Sequence, residues 1–69
     1  MTELTLTVNG QKRRLPAPAT VADLLDHLGL DPRGVVVELN EDIVRRPRVP
    51  HTPLGDGDRI ELVHFVGGG

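Results

Sequence analysis

The chain has no cysteine, no tryptophan, no tyrosine and no serine, and its only aromatic side chain is Phe65. Without cysteine there is no disulfide framework, no thiolate metal site and no cysteine nucleophile. A secreted domain of this size ordinarily needs such a staple, so a cytoplasmic setting is expected. Without serine there is no serine triad. One aromatic leaves almost nothing for bases to stack on. The net charge of −2, from 8 basic and 10 acidic residues, has the wrong sign for a general nucleic-acid binder. No apolar run approaches the roughly 20 residues of a membrane span, and Met1-Thr2-Glu3 opens no basic-then-apolar leader. Neither a nucleic-acid nor a membrane partner is expected.

The remaining polar residues offer little catalysis. His27, His51 and His64 are scattered without metal-ligand spacing, so no metal is expected. Asp56-Gly57-Asp58 lies in no acidic calcium loop and reads as a turn. Glu38, Glu41, Asp42 and Glu61 have no evident pocket in which their protonation could be tuned. A chain of 69 residues buries only about 60% of its unfolded surface, which leaves little material for a deep cleft. No catalytic residue is assigned, and a carrier, binding module or subunit is expected instead of an enzyme.

What is present is a clear succession of elements. Leu4, Leu6 and Val8 alternate with Thr5 and Thr7, the period of a half-buried strand. Asn9-Gly10 is a strong hairpin signal, since both residues tolerate positive φ. Gln11 to Leu15 should return antiparallel as an edge strand guarded by Lys12, Arg13 and Arg14. After the Pro16–Ala19 loop, Thr20 is a helix N-cap, with Asp23 in a capping-box position usually held by Glu or Gln. Val21, Leu24, Leu25 and Leu28 form one helical stripe. Gly29 and Leu30 provide the C-terminal stop, and Pro32 forbids continuation.

Val35 to Leu39 is a β-branched central strand, Asn40-Glu41-Asp42 a turn, and Ile43-Val44 the start of a short strand. Three prolines make residues 46–53 an irregular connection. Arg59 to Val66 is the longest strand, expected centrally beside the first, and it runs into Gly67-Gly68-Gly69. The order β-β-α-β-β-β predicts an α+β fold of the β-grasp (ubiquitin-like) type. Its mixed sheet would have four to five strands, with one helix packed on one face. The expected domain covers residues 1–66, with residues 67–69 as a flexible tail.

Three glycines carry no side chain to pack, and a slim arm of this kind can enter a narrow channel in another protein. Fully extended it reaches roughly 10 Å. Its terminal carboxylate is unreactive at neutral pH because its negative charge repels nucleophiles. Conversion to an acyl-adenylate makes the carbon electrophilic, after which a sulfur or nitrogen nucleophile can displace AMP. Beside the arm, Val63 and Phe65 share the strand face opposite Ile60 and Leu62, which makes them candidate partner-docking residues. Arg45, Arg46 and Arg48 form a basic cluster that could meet an acidic partner surface but more often is a solvated loop.

Several segments carry a family resemblance. They are Val8-Asn9-Gly10, the helix start Thr20 to Leu25, Glu38-Leu39-Asn40, Ile43-Val44, and above all Leu54 to Glu61 leading through Val63-His64-Phe65-Val66 to the glycines. In order and spacing the whole chain resembles the ThiS family of sulfur carriers in thiamin biosynthesis, which have the ubiquitin-like β-grasp fold. The resemblance implies that the Gly69 carboxylate is adenylated by an E1-like, ThiF-type enzyme and converted to a thiocarboxylate. Gly67 and Gly68 would enter partner active sites with it. ATP and magnesium would belong to the activating partner, with no cofactor bound by the domain itself. Sulfur would come from a donor such as a cysteine desulfurase and pass to a ThiG-type thiazole synthase. The stretch from Arg45 to Pro50 departs from the family's usual pattern, which bears on loop contacts and not on the chemistry. Two related readings share fold and tail: the small subunit of molybdopterin synthase, and a ubiquitin-like modifier conjugated through its C-terminus. In a plain β-grasp interaction or RNA-binding module the tail would be incidental.

Overall fold

Alternation puts Leu4, Leu6 and Val8 on one side of strand β1 (Glu3–Val8), and all three are buried. The computed structural model describes residues 2–64. After β1 the chain reverses through Asn9 and Gly10, whose φ angles of 49° and 82° are those of a hairpin turn with two left-handed positions. It returns as β2 (Gln11–Pro16), antiparallel to β1 in the register Val8↔Gln11 to Glu3↔Pro16. Only Leu15 of β2 is buried. The strand is an edge strand, and Lys12, Arg13 and Arg14 line it.

Helix α1 (Val21–His27) starts where Thr20 caps it. The Asp23 backbone N–H donates to Thr20 Oγ1 at 3.3 Å, and the Thr20 N–H donates to Asp23 Oδ2 at 2.8 Å. The shorter acid therefore closes the box as Glu would. At the other end Gly29 adopts φ 72°. Its N–H donates to the Asp26 carbonyl at 3.0 Å, and the Leu30 N–H donates to that of Leu25 at 2.8 Å, the paired bonds of a Schellman stop. Between these caps Val21, Leu24 and Leu25 are buried against the sheet, and Leu28 and Leu30 pack on the rim of the same core.

Strand β3 (Val35–Leu39) pairs antiparallel with β4 (Asp42–Val44) across a turn at Asn40 and Glu41, both at positive φ. Strand β5 (Arg59–His64) lies between β1 and β3, giving one sheet in the order β2-β1-β5-β3-β4. It runs parallel to β1 and antiparallel to β3. The expected central position of the last strand beside the first is what the structure has. Phe65, Val66, Gly67, Gly68 and Gly69 lie outside the described residues, and so does the expected boundary between a 1–66 domain and a 67–69 tail.

One expectation needs correction. The proline-rich connection is not irregular throughout: Arg46–His51 forms a 3-10 helix, with Pro47 in its first turn and Val49 buried in the core. Proline fits a first helical turn because its fixed φ is already close to helical and its missing N–H has no intrahelical partner to lose. The segment is fastened on its exit side. The Thr52 hydroxyl donates to the Arg48 carbonyl at 2.7 Å, and the Val21 N–H donates to the Thr52 carbonyl at 2.9 Å. The core then consists of the inner faces of β1, β5 and β3, Leu15 of β2, Ala19, the stripe of α1, and Val49 and Leu54 from this connection.

Candidate functional site

The candidate site is the C-terminal end of β5 together with the surface that surrounds it. Strand β5 is held from both flanks. On the β3 side the ladder runs from Leu39↔Ile60 to Val35↔His64. On the β1 side the backbone bonds include Thr7 N–H to the Asp58 carbonyl at 3.0 Å and Asn9 N–H to the Ile60 carbonyl at 2.9 Å. Asparagine side chains then supplement both ends. At the start of β5, Asn40 Oδ1 accepts from the Arg59 N–H at 2.9 Å, and Asn40 Nδ2 donates to Asp58 Oδ1 at 3.1 Å. Further along, Asn9 Oδ1 accepts from the Leu62 N–H at 2.7 Å, and Asn9 Nδ2 donates to the Leu62 carbonyl at 3.1 Å.

In the sequence both asparagines read as turn residues, and neither brace is visible there. The signal was their type: an asparagine tolerates a left-handed turn and also carries a free amide.

The Asp56-Gly57-Asp58 motif docks this strand's entry onto β1. Asp56 Oδ1 accepts from the Thr5 N–H at 2.7 Å, the Gly57 N–H donates to the Thr5 carbonyl at 2.8 Å, and Asp58 Oδ2 accepts from the Gly55 N–H at 2.7 Å. The turn expected here is present, and its carboxylates satisfy backbone donors.

Of the two candidate docking residues, Val63 is 61% exposed on the sheet face that α1 leaves open, while Phe65 lies outside the described residues. Register places Val63 beside Val36 of β3, and Glu61 beside Glu38. Ile43, opposite Glu38 on β4, is the other large exposed apolar side chain among the described residues, at 60%. Val63 therefore stands near the end of an apolar and acidic strip, and the sequence alone had not joined Val36 or Ile43 to it. On the opposite, helix-covered face a shallow groove of about 220 Å³ opens beside the end of β5. Val8, Leu28, Leu30 and Leu62 line it, with Arg13 and His64.

Arg45, Arg46 and Arg48 are exposed at the start of the 3-10 helix, remote in the sheet order from the β1 flank of β5. The ion pair among the described residues is Arg33 Nη2 to Asp31 Oδ2, at 2.8 Å. Side-chain hydrogen bonds from Arg33, helped by its backbone N–H, pull the Asp31 carboxyl from 3.8 to about 2, with a smaller pull from Arg46. A carboxyl depressed in this way favours the folded state above its unfolded pKa. That contribution should fade as pH falls from about 3.8 through about 2. We expect an NMR titration to find Asp31 half-protonated near pH 2, and Arg33→Ala to return it towards 3.8. A wild-type midpoint already near 3.8 would mean that the pair does not form in solution.

Among the described residues no helix is long and apolar enough to cross a membrane. The chain matches the model of the ThiS family over residues 6–69, a span that includes the three glycines. It is 44% identical over 64 residues to a thiazole synthase of Paramagnetospirillum magneticum, covering 93% of this chain but 20% of that protein. The chain thus spans about a fifth of the length of that relative. It is 39% identical over 62 residues to the sulfur carrier protein ThiS of Thermus thermophilus, covering 90% of this chain and 95% of that one. The crystal structure of a thiamine biosynthesis protein (ThiS) from Geobacter metallireducens superposes with a TM-score of 0.79 at 35% identity, over 96% of this chain and 100% of that one. With the same fold, a central β5 and a match reaching through the glycines, the chain belongs to the ThiS family.

Proposed function

We propose that this chain is a sulfur carrier for formation of the thiamin thiazole, and that its Gly69 carboxyl is the carrying group. The observation that carries the reading is the continuous family match from β1 to Gly69, on a fold that holds β5 from both sides. In this role the protein is a cosubstrate. A partner of the E1-like type attaches AMP to the Gly69 carboxylate from ATP and magnesium and releases pyrophosphate. A persulfide, fed by a donor such as a cysteine desulfurase, then displaces AMP to give an acyl disulfide. A second thiol reduces its S–S bond to release the thiocarboxylate, leaving a disulfide on the donor side. Gly67 and Gly68 lie within the partner's channel, where the absence of Cβ allows close approach to the backbone.

The receiving partner is a thiazole synthase of the ThiG type. A segment similar to this chain within the much longer thiazole synthase of P. magneticum supports that pairing. It also favours thiamin over the molybdopterin reading and over conjugation to lysines. Val63, with the apolar and acidic strip it joins, is the candidate docking surface, and Phe65 is a further candidate by its place in the sequence.

Intact-protein mass spectrometry tests the reading directly. With ATP, an E1-like enzyme and a sulfur donor, the chain should become heavier by the exchange of one oxygen for sulfur. Absence of both that species and an acyl-adenylate with a competent enzyme would sink it. Rescue of thiamin auxotrophy, as against molybdenum-enzyme activity, separates it from its nearest rival.

A further inference from the structure

A hairpin of two left-handed residues leaves a sheet with a particular problem at this place. Once the chain turns away at Asn9 and Gly10, β1 has no backbone left to pair with β5 beyond Ile60. Yet β5 continues to His64, and on its other side β3 still pairs with it there. The next backbone groups facing β1 are the N–H and carbonyl of Leu62. Both are taken by one side chain, because the Asn9 carboxamide accepts at 2.7 Å and donates at 3.1 Å. A carboxamide has the donor and acceptor of a peptide group, so Asn9 adds one more rung to the ladder after the main chain has left it. Aspartate could only accept, and glycine could do neither, although both suit the turn.

This rung sits on the strand that continues directly into Phe65 to Gly69 in sequence. Register and direction at Leu62 bear on where His64, the last described residue of β5, is held.

We propose that Asn9 is a positioning residue for the carrier reaction, its side-chain amide locking Leu62 so that β5 holds its end at His64, the residue before the C-terminal segment, in one register for the activating enzyme. This rests on the sulfur-carrier reading. Asn9 touches no reacting atom and acts through the Leu62 peptide.

Two variants of the full chain test the role. Asn9→Gly keeps a residue suited to positive φ and removes both hydrogen bonds. Asn9→Asp keeps the acceptor towards the Leu62 N–H and loses the donor. In wild type, amide exchange followed by NMR should show Leu62 protected. Loss of two hydrogen bonds corresponds to roughly ten- to hundredfold faster exchange at Leu62 in Asn9→Gly, with Asn9→Asp between. The single-turnover rate of adenylation by an E1-like enzyme is then measured at saturating carrier, below the melting temperature of every variant. It should fall about tenfold or more in Asn9→Gly, since small misplacements of a reacting group cost rate steeply, and Asn9→Asp should recover part of it. A role confined to stability would lower the melting temperature and leave this saturating rate unchanged.

Wild-type exchange of Leu62 in Asn9→Gly overturns the clamp. Faster exchange with an unaltered adenylation rate overturns the positioning role while leaving the carrier reading intact. A wild-type chain that is never adenylated removes the carrier reading and this role together, and Leu62 exchange in Asn9→Gly still reports whether the clamp forms.

Discussion

Deletion of Gly69 is expected to abolish thiocarboxylate formation while leaving the fold untouched. One extended residue spans about 3.3–3.6 Å, so on the proposed carrier reading the deletion would pull the carboxylate back by up to that much from the position at which the activating enzyme would act on it. A misplacement of about 1 Å at a reacting centre can cost on the order of a hundredfold. The expected loss of adenylation is therefore well above a hundredfold, read by pyrophosphate exchange or intact mass.

The buried residues Leu6, Leu24 and Ile60 are all far from the deletion in sequence or lie before the end of β5. The stability change should stay within about 0.5 kcal/mol, the range of substitutions away from the core. Near-normal adenylation of the shortened chain would contradict the assignment of Gly69. A large drop in melting temperature would show that the tail has a structural role instead.

The second large effect is on the fold itself. Leu24 is fully buried in α1, and Leu24→Ala should cost about 2–5 kcal/mol through lost burial and the cavity left behind. At roughly 0.05–0.15 kcal/mol per residue, a domain of this length has only about 3–10 kcal/mol in total. The variant should therefore be partly or wholly unfolded at room temperature, with a sharply lower urea midpoint. The core is thin: beyond the three buried residues of α1, only Ala19, Val49 and Leu54 come from outside the sheet among the described buried side chains. A neighbour has little room to fill the gap. A wild-type midpoint for Leu24→Ala would mean that the helix does not close the core as the structure has it.

Much of this architecture was legible because its signals are local. The alternation in Leu4, Leu6 and Val8, the Asn9-Gly10 turn, the Thr20 and Gly29 stops of α1 and the β-branched run from Val35 each depend on neighbours a few residues away. The 3-10 helix at Arg46–His51 was not legible. Its one buried residue, Val49, is flanked by Arg48 and Pro50, so no period marks an inward face. Its burial comes through contact with α1, which lies well away in sequence.

The site divides in the same way. The glycines and the candidate docking residues Val63 and Phe65 were proposed from the chain directly; of these only Val63 lies among the described residues, and it is exposed on the open sheet face. The strip that Val63 joins with Val36 and Ile43 exists only once β3 lies between β5 and β4. The dual use of Asn9 and Asn40 likewise needs pairings across 53 and 19 residues.

The sequence by itself determined the strands and the α-helix, their order and the family to which they point. Those follow from side-chain period, turn chemistry and the spacing of a few motifs. Tertiary structure alone decided which strand flanks which, what covers each face, and that β5 is fastened on both sides as far as Leu62. Those depend on hydrogen bonds and burial between residues that only the folded chain brings together.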